Sequence, residues 1–184
     1  MRTSRAPSFC LTAFSGLLIA VFLSSCAPRS QKGPELVGKM APWTRFTLMD
    51  GSARGLQEFK GQTLSIVFWS TWCHKSYRML RKINAFADRV SGQKAVFMAV
   101  SIDKAENLEK VRERIHYNRL GNFVHAFSGN DVSDEAYVAL DGDNLPYVLV
   151  VNPEGYIVAA GNSDEPIYQA FGIDPKSVSD VSEP

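Results

Sequence analysis

The stretch Leu64-Ser65-Ile66-Val67-Phe68-Trp69-Ser70-Thr71-Trp72-Cys73-His74-Lys75-Ser76 decides how this chain is read. Residues 64–69 are nearly all apolar, the pattern of a strand covered on both faces. Over 76–90 the period changes. Met79, Leu80, Ile83, Phe86, Ala87 and Val90 recur at helical spacing, and Gly92 supplies a stop. Cys73 therefore stands where a buried strand runs into a helix N-terminus. Unpaired backbone N–H groups and a partial positive charge gather there, with His74 and Lys75 alongside, and both favour the ionised thiol. A dithiol redox motif would carry a second cysteine three residues later, and that position is Ser76.

Working outward, residues 43–49 read as a short strand ended by the Asp50-Gly51 turn, and 56–59 as a helical turn closed by Gly61. Residues 95–100 form a second continuous apolar strand. Asp103-Lys104-Ala105-Glu106 has the form of a capping box opening a helix that buries Ala105, Leu108, Val111 and Ile115 and turns its charges to solvent. Residues 122–127 read as a strand, 133–140 as a short helix, and 147–151 as a strand beginning after Leu145-Pro146. Asn152-Pro153-Glu154-Gly155 has the residues of a type I turn and joins that strand to 156–160. A helix over 165–171 follows. This order predicts an α/β fold: a central mixed β-sheet flanked by helices on both faces, with a C-terminal β-hairpin and helix.

The chain has 184 residues, 45% hydrophobic and 21% charged, with net charge +1, which suits one globular domain and excludes nucleic acid as an expected partner. Arg2 and Arg5 precede an apolar run over 9–23 that is interrupted by Thr12, Ser15 and Gly16, a targeting segment too short to span a bilayer comfortably. It ends in Leu23-Ser24-Ser25-Cys26, which resembles a bacterial lipobox. The reading is a signal peptide over 1–25, a lipidated flexible tether over 26–36 attached through Cys26, a folded domain over 37–172 and a polar tail over 173–184. Export places the domain in an oxidising compartment, as a periplasm-facing lipoprotein of the cell envelope. Which membrane holds it stays open. Cys10 would leave with the signal and Cys26 would carry lipid, so Cys73 remains as the free thiol.

Five blocks add a resemblance: Val37-Gly38-Lys39-Met40-Ala41-Pro42; Phe46-Thr47-Leu48-Met49-Asp50-Gly51; Leu56-Gln57-Glu58-Phe59-Lys60-Gly61; Val67-Phe68-Trp69-Ser70-Thr71-Trp72-Cys73; and Leu145-Pro146 with Val150-Val151-Asn152-Pro153-Glu154-Gly155. Together, over 36–170, they resemble the TlpA/ResA-type branch of the thioredoxin-like superfamily. The resemblance implies that fold, a nucleophilic role for Cys73, and a cis peptide bond before Pro146, beside which an extended partner peptide could pair. It implies no cofactor, and partners that are exported protein thiols or disulfides or a small thiol. Two departures stand out: the family's second cysteine is Ser76, and its proton-handling glutamate is Met79.

Two main readings follow. Cys73 acts as a monothiol in thiol-disulfide exchange, or the fold is a redox-inactive module for binding a peptide or protein. The first is preferred because the Trp69-Ser70-Thr71-Trp72 lead-in and the cationic neighbours are retained. Ser76 is placed to hydrogen-bond the Cys73 thiolate from one turn along the helix. Trp69 is expected in the core, and Trp72 on the contact surface. A one-cysteine peroxidase is the weakest reading. Ser70 precedes Cys73 by three residues as such an enzyme requires, but Ile66 stands where it would carry a proline. No metal site is expected, because Cys73 and His74 are adjacent, and His116 and His125 fall in a helix end and a strand where structural histidines are common.

Overall fold

The computed structural model describes residues 35–178; the signal segment, Cys10, Cys26 and residues 179–184 lie outside the described residues. A small hairpin of β1 (Arg45–Thr47) and β2 (Ala53–Gly55) precedes a 3-10 turn at Leu56–Phe59. The 43–49 strand expected from the sequence is thus shorter, and it meets the central sheet through an isolated bridge between Leu48 and Ala126.

The central sheet has five strands: β3 (Thr63–Trp69), β4 (Ala95–Ser101), β5 (Val124–Phe127), β6 (Tyr147–Val151) and β7 (Ile157–Gly161), in the order β5-β4-β3-β6-β7. The first three run parallel, β6 is antiparallel to β3, and β7 is antiparallel to β6. The turn between β6 and β7 closes with the Gly155 N–H donating to the Asn152 carbonyl at 2.9 Å, and Gly155 takes a φ of +96°, which a glycine adopts freely.

Four α-helices among the described residues complete the fold: α1 (His74–Arg89), α2 (Leu108–Tyr117), α3 (Glu135–Ala139) and α4 (Glu165–Ala170). Because side chains alternate along a strand, β3 sends Leu64, Ile66 and Phe68 to one face and Val67 and Trp69 to the other. The first set packs with Phe46, Phe59 and Tyr137 under the hairpin and α3. The second meets Leu80, Ile83, Val111 and Ile167 from α1, α2 and α4. All six apolar positions expected to face inward over 76–90 are buried. Full burial of each large one contributes about 1.5–3 kcal/mol. Phe86 is the hub of this face, with Phe97, Tyr168 and Phe171 packed edge-on at 5.0–6.2 Å. The mixed sheet with helices on both faces is the fold class expected from the sequence.

Residues after α4 also pack against this face. Ile173 and Val178 lie against the α1 cluster around a 3-10 turn at Pro175–Ser177, so packing continues beyond position 172, where the sequence placed the start of a polar tail.

The capping box expected at Asp103 does not form. The segment opens as a 3-10 turn at Ala105–Asn107 capped by Lys104 without a side-chain bond, and α2 begins only at Leu108. Ala105 is exposed rather than buried, and it lies against Gly129, where an added Cβ would come within 2.9 Å of the Ala105 Cβ. The helix buries Val111, with Ile115 partly covered.

His125 on β5 is half-buried, with Nε2 at 2.8 Å from the Leu120 carbonyl. Burial holds its pKa below the ordinary value of 6.5, against an opposing contribution from that bond. The unfolded chain therefore binds a proton at a pH where the folded one does not, and stability falls as pH drops below about 6.5 toward the folded value. His125→Gln is expected to flatten the change in urea midpoint between pH 7.5 and 5.5; an unchanged slope would contradict this role.

Candidate functional site

The site forms where β3 ends, and sheet register assembles it. Phe68 pairs with Tyr147 in the antiparallel β3–β6 ladder, so continuing that register brings Pro146 and Leu145 alongside Trp69 and Ser70. On the other side Trp69 pairs with Ser101 in the parallel β3–β4 ladder, which sets Thr71 beside Asp103 two residues on. Three segments distant in sequence thus meet around the loop 70–73.

Cys73 is the N-cap residue of α1, half-buried, with extended backbone angles. Its carbonyl accepts from the Ser76 N–H at 3.1 Å and its own N–H donates to the Ser70 carbonyl at 3.2 Å. The thiol Sγ lies 3.7 Å from the Leu145 carbonyl oxygen, within reach of a weak S–H bond. The Leu145-Pro146 bond is cis, as the resemblance implied. Pro146 is buried, and its carbonyl accepts from Asn162 Nδ2 at 2.9 Å.

Thr71 is held on every side. Its N–H donates to Asp103 Oδ2 at 2.9 Å, its Oγ1 donates to Asp103 Oδ1 at 2.6 Å, and its carbonyl accepts from the Tyr77 hydroxyl. Ser101 Oγ also donates to Asp103 Oδ2, at 2.8 Å. Asp103 is 1% exposed, and its carboxyl group clamps the loop that leads to Cys73. Tyr77 packs edge-on against Trp69 at 6.2 Å, and the Arg114 guanidinium lies 5.2 Å from its ring centre. Burial raises the Tyr77 pKa; Arg114 opposes the rise, while Asp103 and Cys73 add to it.

Trp69 is fully buried and Trp72 is 61% exposed, so the two indoles divide as the sequence suggested, with Trp72 beside the thiol. His74 and Lys75 are exposed on the first turn of α1. Ser76 departs from expectation. It is fully buried, and its hydroxyl has no hydrogen-bond partner, so the bond to the Cys73 sulfur expected from the sequence is not made. Ser70 is likewise buried with an unpartnered hydroxyl, and Ile66 is a core residue. Met79 is buried in the α1 face.

The sequence reading missed Asp103 as a clamp and Tyr77 altogether, and it took Arg114 for one of the solvent-facing charges of α2, where the structure sets it over the Tyr77 ring. A signal for Tyr77 existed in its position four residues after Cys73, one helical turn along α1. Among the described residues, no group of three or more His, Cys, Asp or Glu is placed to hold a metal ion, and no helix is long and apolar enough to cross a membrane. His116 is exposed at the end of α2.

Solved structures of similar fold include the thioredoxin domain of a thiol-disulfide oxidoreductase from Bacteroides vulgatus, at TM-score 0.64 and 20% identity over 74% of this chain and 95% of that one. A thiol-disulfide oxidoreductase from Bacteroides fragilis matches at TM-score 0.63 and 18% identity, over 73% of this chain and 98% of that one. A thiol:disulfide interchange protein from a Bacteroides species matches at TM-score 0.62 and 23% identity, over 80% and 93%. Identities this low speak for the fold alone. The family model described as Thioredoxin-like matches residues 61–157, a span that holds β3, Cys73, the Asp103 clamp and the cis bond before Pro146. That span is more than half of the sequence, and the chain belongs to the thioredoxin-like family.

Proposed function

We propose that this protein is an exported, membrane-anchored thioredoxin-like protein of the TlpA/ResA type that performs monothiol thiol-disulfide exchange through Cys73. The observation that carries the reading is the half-exposed free thiol at the start of α1, set between the exposed Trp72 and the Leu145 carbonyl. The Cys73 thiolate attacks one sulfur of a partner disulfide, forming the Cys73–partner S–S bond and releasing the other sulfur as a thiolate. A second thiol, from the partner or from a small molecule, then attacks that mixed disulfide. It takes the partner sulfur into a new disulfide and returns Cys73 as a thiolate. Electrons balance at each step, and no second cysteine of this chain is needed.

Attachment through acylated Cys26, a cell-envelope location and partners among exported thiols or disulfides belong to the same reading. The lipobox-like Leu23-Ser24-Ser25-Cys26 supports them.

Ser76 favours a second reading. The residue in the place of a resolving cysteine is a buried serine whose hydroxyl bonds nothing, which suits a fold kept for binding a peptide beside Leu145 without turnover.

Ser76→Cys separates geometry from chemistry. With a dithiol reductant present, the thiol introduced at position 76 would displace the partner from its mixed disulfide with Cys73. The two thiols of the chain would then be joined in an internal disulfide, which the reductant opens again. Insulin reduction is expected to be well above the parent's in this variant. No gain in a folded variant would count against a site of the family type.

A further inference from the structure

At the end of the domain opposite Cys73, Met40 and Trp43 line a shallow apolar groove with Lys60 and Gly155. Tyr156 faces Met40 across an isolated antiparallel bridge. Trp43 is 83% exposed, Met40 57% and Tyr156 43%, a cluster of large apolar side chains in water next to the turn that joins β6 to β7. The segments that form it carry Lys39, Lys60 and Glu154, so the charge is mixed and the aromatic and thioether groups give the surface its character.

The Gly38 N–H donates to the Ile157 carbonyl, the Ile157 N–H to the Lys39 carbonyl, and the Ala41 N–H to the Gly155 carbonyl, all at 2.8–2.9 Å, so the polypeptide enters the domain at this end. Leu36 packs partly against the core just before. From Cys26 to Leu36 the chain reaches at most about 35 Å when fully extended. The length of β3 sets Cys73 about 20 Å further away.

We propose that Met40, Trp43 and Tyr156 rest in the lipid headgroup region of the membrane that holds the Cys26 acyl chains, which turns Cys73 away from the bilayer toward its partners. The inference rests on the lipid-anchor reading above. Indole and phenol rings suit this position because each has an apolar body and a polar tip, the property that concentrates Trp and Tyr at membrane interfaces.

The test uses the full chain purified from its host membrane, with acylation checked by intact mass, and reconstituted in phosphatidylethanolamine/phosphatidylglycerol vesicles with and without brominated acyl chains. Subtracting the emission of Trp43→Phe isolates Trp43. Brominated lipid is expected to quench most of this difference signal and aqueous iodide little of it, while the remaining emission, to which exposed Trp72 contributes, stays open to iodide. A Trp43 signal quenched by iodide alone in acylated protein would overturn the proposal and leave the anchor reading standing. Shielding from both quenchers with a doubled particle mass would overturn it in favour of a second copy on this face. A mass without acyl chains would remove the anchor reading, and the proposal with it.

Discussion

Asp103→Ala is expected to destabilise the domain by about 3–5 kcal/mol, read as a large drop in urea midpoint. The carboxyl group accepts from the Thr71 N–H, Thr71 Oγ1 and Ser101 Oγ while fully enclosed, so truncation leaves three buried donors without acceptors. Each such donor costs about 1–3 kcal/mol, offset in part by rearrangement. Asp103→Asn should lose less, since the kept oxygen can still accept from the Thr71 N–H while the amide nitrogen donates to Thr71 Oγ1, a hydroxyl that can turn to accept. Because Thr71 lies two residues before Cys73, the same variants should loosen the thiol's surroundings, seen as faster proteolysis within 70–73. A midpoint within about 1 kcal/mol of the parent for Asp103→Ala would show that the clamp is not what fixes the loop.

Cys73→Ala is expected to remove every disulfide-linked partner trapped from a cell-envelope extract and to bring exchange activity to background. Cys73 is the free cysteine among the described residues, so no other thiol there can take over. The side chain is half-buried and its one polar contact is the weak bond to Leu145, so the fold should hold to within about 1 kcal/mol. Under the binding-module reading the same variant keeps its partners, now without a covalent link. Affinity capture with and without a reducing wash distinguishes the two outcomes.

Local pattern carried much of this structure. The apolar run of β3, the helical period of α1 and the Asn152–Gly155 turn each express a rule that acts within one segment, and each formed near its expected bounds. Cys73 at the head of α1 was legible for the same reason. The cis bond before Pro146 was legible only through the resemblance, since the residues around it would equally begin a strand with a trans proline.

What escaped the sequence was set by contacts between segments. Asp103 has the local signature of a helix cap, and the parallel register of β4 against β3 instead places it beside Thr71, where buried donors offer stronger partners than an exposed helix end. Tyr77 falls outside the apolar stripe of α1, so its role appears only once the loop 70–73 folds back over it. Ser76 reads as a neighbour of Cys73 on the helix, but it is fully buried and its hydroxyl makes no bond to the thiol. The 43–49 strand shares backbone bonds with the edge strand β5 at Leu48 and Met49, because residues 45–47 spend their pairing on 53–55 in a hairpin of their own.

Monothiol exchange, as proposed, requires that Cys73 exchange disulfides and be released again. Purified protein treated with glutathione disulfide, followed by mass spectrometry and peptide mapping, tests it most directly. The expected result is a single glutathionyl group on Cys73 of the folded protein, its removal by added thiol, and catalytic accumulation of the new disulfide over repeated cycles. A Cys73 that stays unmodified until the protein is denatured, or an adduct that added thiol does not release, would contradict it and leave the fold as a binding module.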